Sequence, residues 1–353
     1  MGGEGVTDES DEVLTEVEGS VGLITLNRPK AINSLNQQMV DALATILTGL
    51  ADDDAVRAVV LSGAGERGLC AGGDVVSIYH SARKDGVEAR RFWRDEYLLN
   101  AQISEFPKPY VALMDGIVMG GGVGVSAHAN TRVVTDTSKI AMPEVGIGFI
   151  PDVGGVYLLS RAPGGLGLHA ALTGAPFSGA DAIAMGFADH YVPHGDVEAF
   201  RHAVVTDGVD KALDKYAVEP PPSELAAQRD WIDECFAGDT VGDIVAALRG
   251  HQKEGAGPAR DAANLIATRS PIALSVTLEA VRRAAKLKAL KDVLVQDYRV
   301  SSASLRSHDL VEGIRAQLID KDRNPKWSPA QLPAVTAADV EAYFAPVDDD
   351  LSF

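Results

Sequence analysis

The stretch Met119–Asn130, MGGGVGVSAHAN, places glycines at 120, 121, 122 and 124, and Glu144 stands twenty residues after the last of them. A second glycine-rich stretch, Gly63–Gly73, reads GAGERGLCAGG. Glycine lets a ligand approach the main chain closely and leaves N–H groups free to point at it. Two such N–H groups from separate loops make an oxyanion hole for a carbonyl oxygen. A carboxyl beside them would supply the acid, base or nucleophile for work on a carbonyl compound. Glu144 is the candidate, and the question is where its partner lies.

Three other chemistries fit less well. GAGERG has the spacing of a dinucleotide loop, but that motif needs a helix opening directly at the loop. Here the chain continues as LCAGGD, and Glu66 would sit near the phosphates. GVSAH, Gly124–His128, lacks the last glycine of a nucleophile elbow. The histidines show no metal-ligand spacing, so no metal site is expected.

The elements that must hold these loops alternate in type. Val13–Glu18 and Val21–Asn27 read as strands joined at Gly19–Ser20, and Leu35, Met39, Leu43, Leu47 and Leu50 recur at helical spacing. AVRAVVLSG, PYVALMDG and TRVVTD read as further strands, and Val76–Asn100 as charged helix. Strand, helix, strand points to an α/β layered domain. A composition shift at Glu219–Pro222 precedes a mostly helical part, including SPIALSVTLEAVRRAAK with Ser270 as N-cap and Pro271 at the first position. The expected organisation is an acidic disordered tail over 1–12, a core over 13–215 and a helical region over 216–353.

With 353 residues and 46% hydrophobic content, the chain has the composition of a soluble globular protein, and no stretch is apolar enough to span a bilayer. A net charge of −18 argues against nucleic acid as partner. Two distant cysteines, Cys70 and Cys235, suggest a reducing compartment. The opening MGGEGVTDESDEV lacks the features of a targeting peptide, so a cytoplasmic setting is expected.

Taken together, NRPKAINSLN, GAGERGLCAGGD, MGGGVGVSAHAN and MPEVGIGFIPDVGG resemble the crotonase (enoyl-CoA hydratase/isomerase) superfamily. That resemblance implies a spiral of ββα units, an α+β fold, with a helical C-terminal region and a trimeric habit. A hydratase of the superfamily carries one glutamate just after the glycine triplet and a second twenty residues later. Glu144 matches the second, but Gly124 occupies the first position. Asp152 stands eight residues after Glu144, where hydratases usually have a small residue. That pair, with RDEYLLN at Arg94–Asn100 and the segment Gln296–Trp327, resembles the 3-hydroxyisobutyryl-CoA hydrolase subgroup.

The resemblance implies hydrolysis of a short 3-hydroxyacyl-CoA thioester, as in valine breakdown, with no cofactor beyond the CoA of the substrate. It assigns Glu144 and Asp152 as the catalytic carboxyls, the N–H groups of Gly73 and Gly121 as the oxyanion hole, and Glu96 as a substrate contact. CoA is expected along Arg28, Lys30, Ala31 and Ala71. If the two catalytic carboxyls are close, one pKa should rise, leaving an acid and a base. The alternatives are a hydratase or isomerase of the same superfamily, and an acyl-CoA-binding protein without turnover.

Overall fold

The computed structural model describes residues 12–353 except Glu254. The tail expected over 1–12 therefore lies outside the described residues, except at its last position. Glu12 is fixed there: its carbonyl accepts from the Asn27 N–H and its carboxylate accepts from Asn36 Nδ2 at 2.6 Å.

Among the described residues, nine strands form two sheets. The larger runs in the order β1 (Val13–Glu18), β2 (Val21–Leu26), β3 (Ala58–Gly63), β4 (Tyr110–Met114), β6 (Thr131–Val134) and β9 (His190–Tyr191). Only β1 is antiparallel to its neighbour. Parallel strands need long crossovers, which cover both faces and make the strands apolar throughout. The side chains divide with period two. Ile24, Leu26, Val59, Leu61, Tyr110 and Ala112 enter the main core, while Leu23, Val60, Val111 and Leu113 pack with Phe200 and Val204 of the Val197–Asp207 helix. The same main core contains Trp231, Leu278 and Leu351 from the helical C-terminal part.

The smaller sheet comprises β5 (Ile117–Met119), β7 (Lys139–Ala141) and β8 (Phe177–Ser178). These strands were not visible as periodic patterns, because two or three residues carry no period. The chain passes from β4 to β5 through Gly116, at φ 63°, where a Cβ would lie 2.7 Å from Gly68 Cα. Each turn thus adds a strand to one sheet, a short strand to the other and then a helix, the ββα repeat expected from the resemblance.

Helix expectations hold with local adjustments. Gln37–Asp52 is helical, with Asn36 accepting from the Met39 N–H at 2.9 Å. Ser270 caps Pro271–Ala284. The long helix expected over 76–100 is two, Val75–Ala82 and Val87–Ser104, because Gly86 adopts φ 71° at the break.

Candidate active site

Parallel pairing between short strands assembles the site. Cys70 N–H donates to the Ile117 carbonyl, and Met119 N–H donates to Cys70. This lays Gly72–Gly73 against Gly120–Gly121. Gly120 N–H donates to Ala141 at the end of β7, so Glu144, three residues on, arrives beside the glycines. A Cβ on Gly120 would come within 2.8 Å of Glu144 Oε1, and one on Gly121 within 3.2 Å of Gly73 N. Among the described residues, neither the Gly73 nor the Gly121 N–H has a main-chain acceptor.

The Val87–Ser104 helix supplies the opposite wall. Phe92, Trp93, Glu96, Tyr97 and Asn100 are buried and recur on one face at helical spacing. Trp93 stacks on Phe149, with ring centroids 5.2 Å apart. Glu96 Oε1 lies 2.6 Å from where a Gly121 Cβ would stand and has no hydrogen-bond partner among the described residues. Asp152 follows the turn Glu144–Ile147 and accepts from the Tyr97 hydroxyl at Oδ2, 2.6 Å. Tyr97 also shares a 2.7 Å hydrogen bond with Ser301.

These groups line one cavity of about 430 Å³ that contains Ala71, Gly73, Glu96, Gly121, Glu144 and Asp152. That is the size range of a small-ligand site. Arg269 also lines it, and its Nε and Nη2 donate to the Thr173 carbonyl.

Three carboxyls share this buried space, and burial raises all of them. Glu144 is held well above the usual carboxylate range by burial first and the Asp152 charge second. Glu96 is raised by burial and then by Asp152. Asp152 is pushed up only to about 7, because the Tyr97 hydroxyl and its own main-chain N–H oppose burial. Buried like charges in one cavity oppose one another's ionisation, so the cluster takes its first negative charge near neutrality and holds the other protons.

At position 124 there is no room for a carboxylate. A Cβ there would lie 2.8 Å from Asn100 Nδ2 and 2.8 Å from Val153 Cβ. The space that a hydratase glutamate would need is filled by a neighbouring helix and loop.

The predicted CoA residues divide. Ala71 lines the cavity, but Arg28, Lys30 and Ala31 do not. Arg28 is engaged within the protein, 3.0 Å from Glu12 and 3.7 Å from Asp74, and it donates to the Ser34 carbonyl. Arg28 is thus paired within the protein at the entrance to the Gln37–Asp52 helix rather than lining the cavity. Lys30 and Ala31 are exposed on the turn Pro29–Ala31. Sequence reasoning missed Tyr97, Ser301, Trp93 and Arg269.

A cavity lined by free glycine N–H groups and buried carboxyls, on a ββα spiral, defines the crotonase class of fold. The family model described as enoyl-CoA hydratase/isomerase matches residues 21–344. The chain belongs to this family. A curated relative from Danio rerio, "3-hydroxyisobutyryl-CoA hydrolase, mitochondrial", is 39% identical over 96% of this chain and 90% of its own. The Homo sapiens protein of the same name is 38% identical over 98% and 92%. Among solved structures, one described as a carnitinyl-CoA dehydratase from Mycobacterium thermoresistibile is 72% identical with a TM-score of 0.95, over 98% of this chain and 99% of that one. One described as an enoyl-CoA hydratase from Rhodobacter sphaeroides is 38% identical with a TM-score of 0.91, over 97% and 100%. No helix among the described residues is long and apolar enough to cross a membrane.

Proposed function

We propose that the protein hydrolyses the thioester of a short 3-hydroxyacyl-CoA, 3-hydroxyisobutyryl-CoA in the first instance, releasing the hydroxy acid and CoA. The carrying observation is that Glu144, Asp152 and Glu96 converge with the Gly73 and Gly121 N–H groups in one cavity, while position 124 offers none of the second carboxylate used for hydration. The relatives named as hydrolases of this thioester support the reading.

In this reading the thioester oxygen lies between the two N–H groups, which stabilise the charge that develops on it. Donors of this kind are typically worth about 3–4 kcal/mol each in barrier height. The reactive form is the tautomer of the singly charged cluster in which Asp152 has taken the Glu144 proton, and the Glu144 carboxylate acts at the thioester carbon. It either bonds to that carbon, giving a mixed anhydride that water opens, or takes a proton from the attacking water. Asp152 holds the pair's remaining proton and delivers it to the departing sulfur. Water is the only co-reactant: the C–S bond breaks and CoA leaves as the thiol, while the water oxygen joins the acyl carbon in the general-base route or, where water opens the anhydride at the Glu144 carbonyl, stays in Glu144 as the former Glu144 oxygen leaves with the acyl group. Glu96 accepts from the substrate hydroxyl. Lys30 meets the CoA phosphates, with Ala31 and Ala71 along the CoA path. A cytoplasmic setting, a role in valine breakdown and a homotrimer belong to the same reading.

A second reading has one specific observation behind it, the dehydratase description of the 72% identical structure. Glu96 would then have to stand in for the carboxylate absent at 124. The two are separated by following thiol release from 3-hydroxyisobutyryl-CoA beside the enoyl absorbance of crotonyl-CoA, with Glu144→Ala and Asp152→Ala as controls. Rapid thiol release lost in both variants supports hydrolysis. Change in the enoyl absorbance without thiol release refutes it. Single turnover in oxygen-18 water distinguishes the two routes, since only the anhydride places label in Glu144.

A further inference from the structure

Asp152 sits on a backbone that resists its own conformation. Val153 has φ 52° and Gly154 φ 73°, two consecutive left-handed residues, and the first is β-branched. Such a turn persists only where the surroundings over-determine it. Three groups do so. Tyr97 holds the Asp152 carboxyl. His128 meets the Val153 carbonyl through Nε2 at 2.7 Å, and burial pushes its pKa down to about 4, so the neutral ring donates Nε2–H. Asp297, from the helix Leu290–Ser304, accepts the Gly154 N–H at Oδ2, 2.9 Å.

Asp297 is the unexpected member. It is fully buried, forms no ion pair among the described residues, and leaves Oδ1 without a partner there. No step of hydrolysis uses it. The titratable groups around it are Asp152 on the loop, Tyr97 on the Val87–Ser104 helix, and His128 against Gly154. No cation is among them, so an ionised Asp297 would face only the charge of Asp152.

We propose that Asp297 is a positioning residue that works as a neutral acid, its carboxyl oxygen tying down the left-handed Val153–Gly154 turn so that Asp152 stays in the cavity. Burial holds its pKa well above the usual carboxylate range, with the Asp152 charge adding to the effect against the Gly154 hydrogen bond. The link from this residue to turnover rests on the hydrolase reading; the link to Asp152 does not.

The experiment compares the full-length wild type with Asp297→Asn and Asp297→Ala, each checked for folding by circular dichroism. An amide oxygen still accepts the Gly154 N–H and carries no charge, whereas alanine accepts nothing. The first measurement is the titration of Asp152, from carbon-13 signals of labelled aspartate carboxyls, assigned with Asp152→Asn. Wild type and Asp297→Asn should both titrate near neutrality, and Asp297→Ala should move Asp152 down by a pH unit or more as the turn opens to water. The second is hydrolysis of 3-hydroxyisobutyryl-CoA, where Asp297→Ala should lose 10- to 100-fold in kcat with KM changed less than threefold, and Asp297→Asn should recover most of that loss. Equal impairment of both variants, or an Asp152 titration that Asp297→Ala leaves in place, overturns the proposal. If Asp297→Ala does not fold, the asparagine variant alone decides, by matching or failing to match wild type. Absence of thiol release in the wild type refutes the hydrolase reading while the titration still judges Asp297.

Discussion

The Tyr97 hydroxyl lies 2.6 Å from Asp152 Oδ2 and 2.7 Å from Ser301 Oγ, so a buried phenol joins the loop carboxyl to a serine on a distant helix. The bond to Ser301 can run either way. When Asp152 is ionised, Tyr97 donates to it and Ser301 can donate to Tyr97. When Asp152 holds a proton, it can donate to Tyr97, which then donates to Ser301. Either protonation state is satisfied without moving a heavy atom, which suits a group that accepts and releases a proton during turnover.

Removing the hydroxyl by Tyr97→Phe takes away the bond that favours the ionised carboxylate. A hydrogen bond to a charged group is worth about 1.5–3 kcal/mol, equivalent to roughly one to two pH units. Activity should rise through pH 7 in the wild type, as the cluster acquires its first charge. In Tyr97→Phe that acid limb should move up by about one unit or more, with lost rate partly recovered at higher pH. The pH profile of kcat measures it, and an unmoved limb would show that Tyr97 does not tune Asp152.

Stability should change with pH in a direction set by the same carboxyls. Glu144, Glu96 and Asp152 all have folded-state pKa values above those of the unfolded chain. Between the ordinary carboxylate range and the raised values, the folded protein binds more protons than the unfolded one. This contribution to stability is therefore full at acidic pH and declines as pH rises from about 4 through about 7 and beyond. Glu144→Gln removes one of the three and should raise stability near pH 8 by on the order of 1–3 kcal/mol, while lowering thiol release at least a thousandfold. Melting curves at pH 5 and pH 8 test this, with the gain confined to the higher pH.

The two glycine loops and Glu144 stood out as short motifs, whereas Asp152 and the oxyanion role of Gly73 and Gly121 entered only through the resemblance. Glu96 was legible only through resemblance, since RRFWRDEY also reads as a charged helix face. Tyr97 and Asp152 are 55 residues apart, and Tyr97 and Ser301 are 204 apart. Nothing in the local pattern marks a tyrosine on an apolar helix face as anything but core. Arg28 shows the converse. Its position in NRPK suggests a phosphate contact, but its partner Glu12 lies just before β1, in a segment whose acidic composition pointed to disorder. The short strands β5, β7 and β8 are legible only from their pairing, and that pairing is what brings Glu144 to Gly120.

Gly124 gives the sharpest test of why this cavity lacks the hydratase carboxylate. A methyl group there meets Asn100 Nδ2 and Val153 Cβ, both at 2.8 Å, and Asn100 is fully buried between packed elements. Alanine would gain about 1 kcal/mol of intrinsic helix propensity over glycine. Overpacking typically costs about 1–3 kcal/mol, and Val153 belongs to the left-handed turn that carries Asp152, so it yields only by moving the catalytic loop. Gly124→Ala should therefore be net destabilising by about 1 kcal/mol and lower kcat more than it raises KM. Gly124→Glu should lose thiol release without acquiring hydration of crotonyl-CoA, because the added carboxylate has no space beside Asn100. Pairing it with Asn100→Gly opens that space. Enoyl hydration should appear, if anywhere, only in the double variant, and hydration by Gly124→Glu alone would show that the contact at 124 does not exclude a second glutamate.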